Sequence, residues 1–97
     1  MRHEIEFTDD ALADFRALDP RYRAAVRAAL ETHLRYEPAK VSKSRIKRMR
    51  ELRRPQYRLR VDDIRVYYDI EAQTVTILGV IPKKASGDWL ADNAIRL

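Results

Sequence analysis

Residues 56–70 read Gln56-Tyr57-Arg58-Leu59-Arg60-Val61-Asp62-Asp63-Ile64-Arg65-Val66-Tyr67-Tyr68-Asp69-Ile70, and their alternation decides the architecture. Two runs of period-two hydrophobicity flank Asp62-Asp63, the pattern of a β-hairpin closed by a two-residue turn. Such a turn fixes the register. Val61 faces Ile64, Arg60 faces Arg65, Leu59 faces Val66, Arg58 faces Tyr67 and Tyr57 faces Tyr68. One face is then apolar or aromatic throughout (Tyr57, Leu59, Val61, Ile64, Val66, Tyr68), and the other holds Arg58, Arg60, Arg65 and Tyr67. Like charges directly opposed in a sheet cost some tenths of a kcal/mol up to ~1. Arginines splayed into water would tolerate this pairing, but a cluster held ready for an anion explains it better. Tyr67 beside Arg58 adds a surface on which a base could stack while the arginines hold phosphate.

The surrounding charge supports the anion reading. The chain has 97 residues, enough for one modest core and one domain, 1–97, with formal net charge +5. Residues 38–68 carry eleven basic and three acidic side chains, net +8, whereas 1–37 are net −2 and 69–97 net −1. Eight of the eleven are arginine, the better fork for phosphate oxygens. A concentrated positive field favours polyanions, nucleic acid first among them. Arg45, Lys47, Arg48, Arg50, Arg53 and Arg54 are therefore expected RNA-binding residues beside the hairpin. No apolar run approaches the ~18 residues of a membrane span, and the N-terminal residues lack an apolar signal core. A cytoplasmic protein with no membrane association is expected. The absence of cysteine removes disulfides and thiolate chemistry.

Outward from the hairpin, residues 2–7 alternate as a half-buried strand with Ile5 and Phe7 on one face. Thr8 offers an N-cap, Asp9 and Asp10 suit a helix start, and Asp19-Pro20 is a second start signal. Residues 8–37 read as an αα-hairpin, stopped by Pro38. Residues 39–54 read as a polar, basic loop running into a short or irregular strand. Thr74 to Ile81 form a third β-run, and 86–95 a closing helix with Ser86 as cap and Trp89, Leu90 and Ala94 as its docking side. The expected order is β-α-α-β-β-β-β-α. This is an α+β fold: an N-terminal strand, an αα-hairpin packed on an antiparallel or mixed sheet of four to five strands, and a short C-terminal helix, with the helices on one sheet face.

Other constellations are weaker. His33 lies on the apolar stripe of the second helix and reads as a core histidine; His3 has no partner in view. Two isolated histidines without cysteine predict no metal site and no cofactor. Ser42, Ser44 and Ser86 lack a glycine elbow or local base, and Gly79 and Gly87 alone make no phosphate loop. Glu4 and Glu6 read as solubility residues of an outer strand.

The segment 56–70, followed by Thr74-Val75-Thr76-Ile77-Leu78-Gly79-Val80-Ile81-Pro82-Lys83-Lys84, resembles the RelE/ParE superfamily of bacterial type II toxins, on its RelE-like side. Element order matches from the first strand to Trp89. The resemblance implies a toxin held inactive by a cognate antitoxin in a hetero-oligomer, and ribosome-dependent cleavage of mRNA by attack of the RNA 2′-hydroxyl on the adjacent phosphate. It assigns catalytic roles to Arg58, Arg60, Arg65 and Lys84, with Lys83 as the neighbouring RNA contact. Arginine stands at 60 where the family often has lysine; with a pKa above ~12 it positions rather than abstracts a proton. A stacking tyrosine often found near the family's C-terminus has no equivalent; Trp89 is the nearest aromatic.

Three functions fit this sequence. The first is an mRNA endonuclease toxin. The second is a ParE-like toxin that inhibits DNA gyrase without catalysis. The third is a nonenzymatic nucleic-acid-binding module with steep salt dependence. The first implies ribosome and mRNA as partners. A cognate antitoxin is expected to be acidic where it covers the basic face over residues 40–65.

Overall fold

A computed structural model describes residues 1–97. Its elements are β1 (Glu4–Phe7), α1 (Asp9–Arg16), α2 (Pro20–Leu34), β2 (Ile46–Arg48), β3 (Leu52–Arg54), β4 (Tyr57–Val61), β5 (Ile64–Glu71), β6 (Thr74–Pro82), α3 (Ser86–Asn93) and β7 (Ile95–Arg96). A mixed five-stranded sheet has the order β1-β6-β5-β4-β2, and β3 pairs with β7 in a separate ribbon. The β4–β5 hairpin adopts the register that its turn demands, from Val61 opposite Ile64 to Tyr57 opposite Tyr68. Asp62 turns at φ 52°, a left-handed conformation that a short polar side chain tolerates. β1 lies parallel to β6 at the sheet edge, with Glu4 and Glu6 exposed.

The helical hairpin begins where capping chemistry places it. The Thr8 hydroxyl accepts from the Ala11 amide at 3.1 Å, and the Asp19 carboxylate accepts from the Arg21 amide at 2.9 Å ahead of Pro20. Val26, Leu30 and Leu34, spaced one helical turn apart, face Leu59, Val66, Tyr68, Val75 and Ile77 to form the core. The Tyr68 ring stacks on Tyr57 at 5.5 Å, and its hydroxyl donates to the Pro38 carbonyl at 2.7 Å. Burial raises the Tyr68 pKa, with Tyr57 adding to the effect, so the phenol stays a donor. Tyr68→Phe leaves a buried carbonyl without its donor. The expected loss is about 1–3 kcal/mol, read as a lowered midpoint in thermal or urea unfolding; an unchanged midpoint would contradict the bond's role. No helix is long and apolar enough to cross a membrane.

Three features depart from the sequence-based reading. Residues 39–54 hold two short strands, β2 on the main sheet and β3 away from it, because β3 finds its partner far along the chain in β7, Leu52 opposite Arg96 and Arg54 opposite Ile95. Ser86 is not a cap: a 3-10 turn over Lys83–Ala85 runs straight into α3, and the Ser86 hydroxyl donates back to the Lys83 carbonyl. The helices do not share a sheet face. α1 and α2 cover the side of Val66 and Tyr68, whereas α3 lays Trp89 on Tyr67 and Gly79, across the sheet. Side-chain alternation in β5 forces this, since Tyr67 must point opposite to Val66 and Tyr68.

Candidate nucleic-acid interface

The sheet face turned away from α1 and α2 gathers cations from three strands. Register sets Lys47 of β2 opposite Arg58 of β4, Arg58 opposite Tyr67 of β5, and Arg60 opposite Arg65. The like-charged pair is accommodated unequally. Arg65 is only 8% exposed, and its Nη1 donates to the carbonyls of Asp62 at 3.0 Å and Ile64 at 3.3 Å. Its guanidinium is therefore folded against the hairpin turn rather than splayed into water. Arg60 is exposed, and its carbonyl accepts from Arg45 Nη1 at 3.4 Å.

Arg58, two residues before Arg60 on β4 and opposite Tyr67, is half-buried. Its Nε is buried without a hydrogen-bond acceptor in the protein. Burial, and next the Arg65 charge, lower its pKa from the ordinary arginine value; Tyr67 partly offsets this and Arg60 lowers it further. Arginine remains charged under such pressure. A desolvated cation beside two others, with an unused donor, is a site whose electrostatic cost an anion would relieve.

Tyr67 is not the open stacking surface that the alternation predicts. It is 2% exposed, covered by Trp89 with ring centroids 4.8 Å apart and planes 8° from parallel. A Cβ at Gly79 would stand 2.6 Å from Trp89 Cζ2, so the indole seats only on a glycine. Trp89, half-buried above Tyr67, is the aromatic wall of this face. The signal was in the sequence: a glycine inside a β-branched run marks close approach by another group.

The flanking cations separate into distinct environments. Lys47, Arg50 and Arg53 are exposed and free of carboxylate partners, as is Arg45. Arg48 falls on the other side of the sheet from Lys47; it donates to the Gln56 carbonyl at 2.7 Å and lies 5.0 Å from the Tyr57 ring centroid. Arg54 pairs with Asp69 at 3.1 Å. Both arginines thus have structural partners. Lys83 and Lys84, exposed in the 3-10 turn, line a cleft of about 750 Å³ with Asp19, Tyr22, Asp63 and Ile64. The Lys83 amide donates to the Asp63 carbonyl at 2.7 Å, which ties this turn to the end of the hairpin where Arg65 meets the Asp62 carbonyl. No three His, Cys, Asp or Glu side chains converge into a metal-binding group.

Residues 5–86 match the family model described as the ParE toxin of the type II toxin-antitoxin system, parDE. Among solved structures, the chain is similar to one from the toxin-antitoxin complex RelBE2 of Mycobacterium tuberculosis, with 29% identity and TM-score 0.69 over 84% of this chain and 99% of that one. A chain of the RelB-RelE antitoxin-toxin complex from Methanococcus jannaschii aligns with 18% identity and TM-score 0.68, covering 87% of this chain and 96% of the other. One from the archaeal RelE-RelB complex of Pyrococcus horikoshii aligns with 21% identity and TM-score 0.64, covering 86% and 97%. These last two share the fold. No curated protein sequence matches significantly.

Proposed function

Because the chain belongs to the ParE toxin family of type II toxin-antitoxin systems, a branch of the RelE/ParE superfamily, we propose that this toxin cleaves mRNA on the ribosome, with the cation face of β4 and β5 around the reacting phosphate. The observation that carries this reading is Arg58, a half-buried guanidinium with an unused Nε beside the opposed pair Arg60 and Arg65. In the reaction the RNA 2′-oxygen bonds to the adjacent phosphorus and the bond to the 5′-oxygen breaks. The products are a 2′,3′-cyclic phosphate and a free 5′-hydroxyl. Negative charge grows on the phosphoryl oxygens, and preorganised guanidinium donors stabilise it. No group of suitable basicity stands among the three arginines, so water takes the 2′-hydroxyl proton and supplies one to the leaving oxygen. The ribosome imposes in-line geometry on the strand.

The exposed cations Arg45, Lys47, Arg50 and Arg53 would carry the flanking phosphates. A cognate antitoxin would neutralise the same face with acidic side chains, excluding RNA by occupancy and charge. The toxin-antitoxin complex RelBE2, one chain of which is 29% identical to this one, supports an antitoxin partner.

A second reading, inhibition of DNA gyrase, draws on the ParE description of the matching family and on the lack of a protein base beside Arg58. One pair of assays separates them. The purified toxin is expected to cut ribosome-bound mRNA and to leave gyrase supercoiling intact. Loss of supercoiling with mRNA uncut would overturn the nuclease reading in favour of the other.

A further inference from the structure

Arg65 stands beside two aspartates and pairs with neither. Asp62 and Asp63 close the β4–β5 hairpin and both are exposed, but no carboxylate forms an ion pair with the Arg65 guanidinium. Its Nη1 donates instead to the main-chain carbonyls of Asp62 and Ile64, at 3.0 and 3.3 Å. These acceptors are neutral. A carboxylate in their place would hold the guanidinium and cancel its charge; carbonyls hold it and leave the charge for an incoming phosphate. One arm of the fork is thereby committed to the protein, while Nη2 and Nε form no hydrogen bond within it.

The Asp62 carbonyl reaches Arg65 through an uncommon backbone geometry. Asp62 has φ 52°, whereas Asp63, the second turn residue, is not left-handed. A two-residue hairpin turn with positive φ at its first position alone favours glycine there. Asp and Asn tolerate left-handed φ better than other side chains, and β-branched residues tolerate it worst. The turn is braced from behind. The Lys83 amide donates to the Asp63 carbonyl at 2.7 Å, and Ile64 lies opposite Pro82 at the end of β6. The Asp62 carbonyl is therefore a fixed acceptor, and Arg65, at 8% exposure, has little room to leave it.

We propose that Asp62 is a positioning residue: its main-chain carbonyl, aimed by the left-handed turn, sets the Arg65 guanidinium for the reacting phosphate, and its carboxylate takes no part. The proposal rests on the mRNA-cleavage reading above and deepens it by assigning what orients one of the three arginines. A guanidinium stabilises a transition state best when it is in place before charge develops. Displacement of a reacting group by about 1 Å can cost up to about 100-fold in rate. An arginine held in this way contributes to kcat rather than to substrate affinity, which the exposed cations supply.

Cleavage kinetics on programmed ribosomes separate the backbone of Asp62 from its carboxylate. Asp62→Val places a β-branched side chain where φ is 52°; Asp62→Ala serves where valine prevents folding. Either is expected to lower kcat at least tenfold, as roughly expected for a displaced catalytic group, and to leave KM nearly unchanged. Asp62→Gly and Asp62→Asn keep the turn, and rescue of kcat is expected from both. In an Arg65→Met background, Asp62→Val is expected to cost no further activity, because it acts through the arginine. A loss in Asp62→Asn equal to that in Asp62→Val would assign the effect to the carboxylate and overturn the proposal. So would an undiminished kcat in both folded variants, or the same loss in the Arg65→Met background. Side-chain N–H signals of Arg65, identified by their absence from Arg65→Met, report the positioning without cleavage. Their hydrogen exchange is expected to be slow in the wild type and in Asp62→Asn, and fast in Asp62→Val. A wild type that shows this pattern but cuts no mRNA sinks the nuclease reading alone. Slow exchange retained in Asp62→Val sinks the positioning role.

Discussion

Arg58→Met is expected to reduce ribosome-dependent mRNA cleavage by about two to three orders of magnitude, the cost of removing one preorganised donor from a charge-developing site. The same substitution is expected to leave the unfolding midpoint unchanged or raise it by a few degrees. Methionine retains an unbranched apolar stem of similar reach. It removes a desolvated cation flanked by Arg65 and Arg60 and a buried Nε without an acceptor. A buried donor left unsatisfied costs about 1–3 kcal/mol, part of which the variant recovers. A residue kept for stability would show the opposite pattern. Single-turnover cleavage on programmed ribosomes, together with thermal unfolding, gives both quantities; a stability loss without a cleavage defect would remove Arg58 from the site.

Gly79→Ala is expected to unseat α3. The new methyl would meet Trp89 Cζ2 at 2.6 Å and Cε2 at 2.7 Å, well inside van der Waals contact, with the Tyr67 ring closing off one side. Overpacking of this kind costs about 1–3 kcal/mol. α3 has no buried residue, so the indole yields before the strand does. Trp89 is the protein's one tryptophan, and its emission is expected to shift to the red as the ring moves from Tyr67 into water. In the double variant G79A/W89A the alanine at 79 should cost nothing further, because the group it strikes is gone. A blue-shifted spectrum in Gly79→Ala, or additive losses in the double variant, would contradict the stacking of Trp89 on the sheet.

The hairpin was legible because its rules are local. A two-residue turn leaves one register, and strand alternation assigns each side chain to a face. The helix starts at Thr8 and Asp19 were legible for a similar reason, since a cap is a contact between near neighbours in the chain. The β3–β7 ribbon was not: three residues and two, far apart in sequence, form strands only because the fold brings them together. The candidate site divides along the same line. The sequence put Arg58, Arg60 and Arg65 on one face, but it gave no sign that Arg65 is buried against turn carbonyls or that Arg58 lacks an acceptor.

The sequence by itself determined which residues share a face, since side-chain direction follows from backbone period. It also determined the excess charge of 38–68 and the family to which its motif belongs. Tertiary structure decided which members of that face stay exposed. Trp89 comes from the last helix to close over Tyr67, Asp69 draws off Arg54, and the 3-10 turn sets Lys83 and Lys84 along a cleft with Asp19 and Asp63. Burial and pairing depend on what arrives from elsewhere in the chain. Periodicity fixes where a side chain points; packing fixes what it meets there.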